Sequence, residues 1–263
     1  MYKILEVNDG NRWQAVKLLI ADAVRNVFAI YDLKNEFENT EMHIAFKDEA
    51  LKGYILIYRG MRVPSVILEG EENAAEALLK YAPKDRFIMH LPKRLLPIAQ
   101  RKFQNAKFYV EDWMLVKKEQ ARFFKASNVR RLSSLKDAEK LAKLFSTVEK
   151  EARKAFEDYV KLISKAPVYG VFIKDMLVSC AGSRIQLPEV WLIGGVYTHP
   201  EYRNRGYATL ATSAITEEAL SKADSAALLV RSDNHPAIRV YEKIGYRKVF
   251  EKIWMDVGTG LMP

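Results

Sequence analysis

The sequence predicts a chain of the α/β class, α+β in its details, built from two similar halves. Three observations predict this. The apolar spacing gives the same succession of strands and helices in residues 1–120 as in residues 127–263. The chain has 263 residues and 49% hydrophobic content, enough for a large core in one or two domains. Finally, the stretch from Trp191 to Thr209 reads as an apolar strand, a proline turn and the start of a helix.

In the first half, Tyr2–Val7 alternates like a strand and Trp13–Tyr31 is a helical region. Met42–Lys47, Leu51–Arg59 and Ser65–Leu68 follow as strands. Ala74–Tyr81 is predicted as a helix, Arg86–Leu91 as a strand, Lys93–Phe103 as a helix and Lys107–Val116 as a strand.

The second half repeats the order. Asn128–Leu132 is a short strand. Ser134 then caps a helix over Leu135–Phe145, with Asp137 three residues on as its capping-box partner. A second helix runs over about Val148–Ile163. Val168–Ile173 and Met176–Ile185 make a hairpin around Lys174-Asp175, a turn-favouring pair. Glu189–Thr198 is a strand feeding the helix Tyr207–Lys222. Ala226–Val230 is a buried strand, Pro236–Ile244 a helix with proline in its first turn, and Tyr246–Val257 the last strand. Both closing strands hold a Trp-Met pair, Trp113-Met114 and Trp254-Met255, and the alternative to a tandem repeat is an unrelated α+β domain in the first half.

The chemistry concentrates in Trp191–Thr209, WLIGGVYTHPEYRNRGYAT. The first amides of a helix lack internal partners and carry the positive end of its dipole, so this strand–turn–helix is a ready anion site. Arg203 and Arg205 add positive charge, and Gly206 lets a phosphate approach the backbone without a Cβ in the way. The plainer alternative is a basic loop ahead of an amphipathic helix. A second motif lies downstream, with Asn234, Ala237, Tyr241 and Gly245 in register.

The two motifs, in this order of elements, resemble the GNAT superfamily of acyl-CoA-dependent N-acyltransferases over about Ser127–Val257. The resemblance implies two GNAT-like domains, each a mixed, mostly antiparallel sheet flanked by helices. Residues 127–263 would be the catalytic one and residues 1–120 a degenerate partner shaping the substrate cleft. The first half has Glu69, Glu71 and Glu72 where the second has Arg203 and Arg205. Three carboxylates there would repel a pyrophosphate.

The resemblance also implies acetyl transfer from acetyl-CoA to a primary amine. The amides of about Asn204–Ala208 would wrap the diphosphate, with Arg203 and Arg205 as cationic partners, and the loop extends to Thr209. Tyr207 packs its ring there. Val196 and Thr198 would pair with the pantetheine arm, the Val196 N–H acting as an oxyanion donor to the thioester carbonyl. Gly194-Gly195 would mark a bulge that opens the sheet, or else only relieve crowding. Asn234 would hold the pantetheine arm, Ala237 would leave it room, and Tyr241 would protonate the departing thiolate as general acid. Tyr241 also fits a core tyrosine with a bonded hydroxyl.

The general base is where the resemblance fails. The family's glutamate position holds Leu192, and Glu189, His199 and Asp233 are nearby alternatives, as are a water chain or an amine arriving neutral. No base is assigned. No phosphate-binding P-loop, zinc-protease motif or serine-nucleophile elbow occurs. His43, His90, His199 and His235 are too scattered for a metal site, and none is expected. Cys180, the only cysteine, lies on an apolar strand and reads as a small buried hydrophobe. It excludes an intrachain disulfide.

The partner expectations are a small-molecule or peptide amine acceptor, no membrane, and a monomer or homodimer in the cytoplasm. There is no signal-peptide pattern at MYKILEVNDG and no run of eighteen apolar residues. The net charge of +9 is spread along the chain, and no helix carries a basic stripe with interleaved aromatics, so nucleic acid is a minor alternative. The second reading is a non-catalytic acyl-CoA sensor or scaffold.

Overall fold

The computed structural model describes residues 2–148 and 155–261. The chain divides into two compact units, Met1–Asp112 with Phe250–Pro263, and Trp113–Val249. Compactness thus assigns the end of the last strand, which the sequence reading placed in the second half, to the first unit.

The first unit contains β1 (Lys3–Glu6), α1 (Arg12–Ile20), α2 (Val27–Asn35), β2 (Thr40–Lys47), β3 (Ala50–Tyr58), β4 (Ser65–Gly70), α3 (Glu72–Leu78), β5 (Phe87–Pro92) and α4 (Leu96–Lys102). β6 (Lys107–Lys117) begins here, and its residues from Trp113 onward belong to the second unit. The helical region expected over Trp13–Tyr31 consists of α1 and α2. Asp22 breaks the run by accepting from the Arg25 main-chain N–H and side chain, and Asn26 donates to the Leu19 carbonyl. Such side-chain bonds to nearby backbone compete with helix continuation.

Strand order in this unit is β1-β2-β3-β4-β5, followed by β12 (Arg247–Val257) through its segment Phe250–Val257. β4 and β5 are parallel, and β5 and β12 are antiparallel. Ile253 and Met255 of β12 are buried with Phe87, Met89 and Leu91. Burial of such a side chain contributes about 1.5–3 kcal/mol.

The second unit adds β7 (Val129–Arg131), α5 (Leu135–Phe145), α6 (Phe156–Lys165), β8 (Val168–Ile173), β9 (Met176–Gln186), β10 (Trp191–Thr198), α7 (Tyr207–Leu220), β11 (Ser225–Arg231) and α8 (His235–Ile244). The start of the helix predicted over Val148–Ile163 falls partly on residues 149–154, outside the described residues. The sheet runs β6-β11-β10-β9-β8-β7, with β10 and β11 parallel and β7 to β10 antiparallel. Both halves thus follow the order strand, two helices, three strands, helix, strand, helix, strand.

Local chemistry sets the ends of these elements. The Ser134 side chain accepts from the Asp137 N–H, and Asp137 accepts from Ser134 N–H and from both terminal guanidinium nitrogens of Arg130. Arg130 therefore holds the Asp137 carboxyl well below its ordinary range. α7 buries Ala211, Ile215 and Ala219, spaced four apart, against the sheet. α8 ends at Gly245, whose φ of 110° suits a glycine C-cap and whose missing Cβ would stand 2.3 Å from the Gln120 carbonyl oxygen.

Candidate functional site

A groove of about 740 Å³ opens in the second unit beside the end of β10, the start of α7 and one face of α8. Its origin is a parting of strands. β10 pairs in parallel with β11 only from Trp191 to Ile193. Against β9 its register slips between Gly194 and Tyr197, so β10 holds one residue more than its partner there. This is the bulge expected at Gly194-Gly195, and Gly195 takes φ 63°, in the left-handed region. Beyond it Val196, Tyr197 and Thr198 line the groove.

A short helical turn at Pro200–Tyr202 then redirects the chain. His199 caps it, its Nδ1 accepting from the Glu201 N–H at 3.3 Å. Asn204 at φ 62° and Gly206 at φ 80° bend the backbone into α7. A Cβ on Gly206 would meet nothing within 4 Å. The cradle is therefore open where the sequence expects a phosphate. Gly70, which ends the strand before α3 in the first half, differs: a Cβ there would stand 2.3 Å from Gly53 Cα and from the Lys52 carbonyl oxygen. Backbone already fills that space, and Glu71 beside it is paired with Lys52 at 2.9 Å.

The groove gathers Val196, Thr198, Arg203, Asn204, Gly206, Tyr207, Ala208, Thr209, Asn234, Ala237 and Tyr241. Arg205 is the exception among the expected residues. It lies outside the lining, its guanidinium carbon 5.4 Å from the Tyr202 ring centroid. Arg203 lines the groove with its Nε donating to the Thr198 carbonyl. Asn234 is the N-cap of α8, its side-chain oxygen accepting from the Ala237 N–H at 3.3 Å. Tyr241 is 6% exposed, and burial pushes its hydroxyl up to about 12 against an opposing effect of the Arg184 charge.

Sequence reasoning missed Arg239 and Lys243, which also line the groove. Their signal was a four-residue spacing on α8 that repeats Pro236, Val240 and Ala237, Tyr241. With Arg203 they make the wall cationic, and no carboxylate or imidazole lines it among the described residues.

None of the alternative bases stands there. His199 caps the turn. Asp233 is held by Arg231 through two bonds, of 3.0 and 2.7 Å, which lower its pKa. Glu189 lies before β10, whose first residue is Trp191, so the strand is shorter than predicted. Cys180 is 1% exposed and its thiol is pushed up to about 12 by burial. No cluster of three metal-ligating side chains occurs among the described residues. No helix among them is long and apolar enough to cross a membrane.

The family pattern described as FR47-like protein matches residues 168–255, the span from β8 into β12. Nothing among curated proteins matches the chain. Among solved structures, a Drosophila protein is similar over 98% of this chain and 99% of its own, at 14% identity and a TM-score of 0.75. A GCN5-related N-acetyltransferase from Kribbella flavida covers 91% of this chain and 96% of its own, at 14% identity and 0.64. A tandem GNAT protein from the clavulanic acid biosynthesis pathway covers 99% and 100%, at 13% identity and 0.62. The chain accordingly has the GNAT fold in tandem form, with the FR47-like pattern on its second half.

Proposed function

We propose that this protein transfers an acetyl group from acetyl-CoA to a primary amine by direct attack in a ternary complex. The observation that carries the reading is the open left-handed glycine at Gly206, set at the start of α7 beside the parted strands β10 and β11. A diphosphate fits such a cradle of backbone amides. The amides of Asn204–Ala208 and the Arg203 guanidinium would hold it, with Arg239 and Lys243 as further cations.

Acetyl-CoA, when bound, supplies an activated thioester carbonyl. The Val196 N–H would donate to that carbonyl oxygen as negative charge develops on it. Asn234 would hold the pantetheine arm. As the amine nitrogen bonds to the carbonyl carbon and the carbon–sulfur bond breaks, Tyr241 would donate its proton toward the sulfur. The proton lost by the nitrogen would pass to water, from which Tyr241 would regain its own, since no carboxylate or imidazole lines the groove among the described residues. The buried Cys180 thiol makes a covalent acyl-enzyme unnecessary to invoke.

That no carboxylate or imidazole lines the groove among the described residues also favours a second reading, an acyl-CoA sensor or scaffold. Titration calorimetry with acetyl-CoA, followed by transfer assays with a panel of amines, separates the two. Tight binding without transfer selects the sensor. Normal acetyl-CoA binding by Gly206→Glu would overturn the loop assignment in both. The expected setting is a cytoplasmic monomer or homodimer.

A further inference from the structure

Beyond the groove lining, one charged side chain is aimed by an irregularity of the sheet. Ile185 pairs with Leu192 and Ser183 with Ile193, so Arg184 is the extra residue of a bulge on β9. A bulge turns its residue away from the ordinary alternation. Arg184 is exposed on a strand otherwise buried from Leu177 to Ile185. Its side chain lies across Gly194, where an added Cβ would stand 2.5 Å from Nε, 2.8 Å from Cδ and 3.1 Å from Cγ. Glycine at 194 is thus what lets this arginine cross β10.

Gly194 is followed by Gly195 and by Val196, where the groove lining begins. The Arg184 charge also acts on Tyr241, which lines the groove, and lowers its pKa against the effect of burial. No carboxylate pairs with Arg184 among the described residues. An arginine so placed is suited to a planar, bidentate anion.

We propose that Arg184 recognises a carboxylate of the acceptor, so that the substrate class is an amine with an acid group close to its nitrogen, as in an amino acid. The inference rests on the acetyl-transfer reading above. It deepens that reading, because the nitrogen attacks beside Val196 while the acid meets the guanidinium across Gly194.

The test is acetyl transfer from acetyl-CoA to matched acceptors, glycine against glycinamide and phenylalanine against its amide, with wild type, Arg184→Gln, Arg184→Lys and Gly194→Ala. Amine basicity within a pair does not change between variants, so the ratio in Arg184→Gln is the reference. The wild-type kcat/KM ratio of acid to amide should exceed that reference at least roughly tenfold, mainly through KM of the acid. Arg184→Lys should keep part of the preference. Gly194→Ala, which displaces the side chain but keeps the charge, should lose most of it. An unchanged ratio in Arg184→Gln overturns the inference, as does acetyl-CoA binding by wild type with no transfer to any of the four acceptors. Calorimetry showing no acetyl-CoA binding by wild type would instead remove the acetyl-transfer reading beneath it.

Discussion

The Nε of Arg203 donates to the main-chain carbonyl of Thr198 across 3.2 Å, tying the start of the loop into α7 to the end of the parted strand β10. The same guanidinium carbon lies 5.8 Å from the Tyr197 ring centroid. One side chain therefore serves both as a cation for the groove and as a strut for its wall. Arg203→Ala should weaken acetyl-CoA binding about 10- to 100-fold by calorimetry. Arg203→Lys keeps the charge but not the planar fork, so its affinity should fall between the two. Arg203 is exposed, so thermal stability should hardly change in either variant.

Gly206 separates backbone strain from ligand exclusion. At φ 80° an alanine pays for the left-handed conformation, about 1 kcal/mol or more of folding stability. Asparagine tolerates that region far better. Gly206→Asn should therefore denature near wild type while losing acetyl-CoA affinity, because its side chain enters space now free of any atom within 4 Å. Urea denaturation and calorimetry on the same two variants check this. Wild-type affinity in Gly206→Asn would show that nothing binds against this glycine.

Tyr241 carries the clearest dependence on pH. Its hydroxyl, ordinarily near 10.0, is pushed up to about 12 because burial disfavours the phenolate. The group therefore stays a proton donor through neutral and mildly alkaline pH, and kcat should show no descending limb from it below about pH 10. The sign for stability follows from linkage. The folded state favours the protonated form, so the contribution is full below pH 10 and is lost as pH rises toward 12. Tyr246, also raised by burial, adds in the same sense. Tyr241→Phe should lower kcat roughly 10²-fold with little change in acetyl-CoA affinity. It should also flatten the fall in unfolding free energy between pH 10 and 12.

Cys180 gives a check on the proposed direct attack, which needs no acyl-enzyme. With a thiol pushed up to about 12 by burial, almost no thiolate is present at neutral pH. Thiol reagents should leave native protein unmodified and label it once it is unfolded. Cys180→Ala loses the Sγ contact to the Gly195 carbonyl at 3.5 Å and some packing in its buried cluster, and should retain most of the transfer rate.

Most of the groove's lining was legible in the sequence because it is local. The strand, the glycines, the proline turn and the helix start lie within Trp191–Thr209, and Asn234 and Tyr241 share one helix. The capping box at Ser134 and Asp137 was readable for the same reason. What escaped depends on where different segments meet. Arg205 and Arg203 look equivalent in sequence, yet one lies over Tyr202 and the other lines the groove. The break after Ile20 needed the side-chain bonds of Asp22 and Asn26, which apolar spacing does not register. The membership of Phe250–Val257 in the first unit rests on pairing with β5, some 160 residues earlier in the chain. No periodicity within β12 could reveal that.

The first unit offers a last test in Glu69. The sequence reading counts it among three carboxylates that would repel a phosphate, but its partner is Lys252 of β12, at 2.7 Å. The two side chains are 6% and 2% exposed, and Lys252 also donates to the Arg25 carbonyl at 3.0 Å. Removing one member strands a buried charge, so Lys252→Met should cost about 3–5 kcal/mol in chemical denaturation. Removing both, as in Glu69→Leu with Lys252→Met, should recover most of that, since two apolar groups of similar volume need no partner. If the single and double variants lose equal stability, the cost lies in the packing of the lysine stem and not in its charge. Acetyl-CoA affinity should be unchanged in both, because the cradle at Gly206 belongs to the other unit.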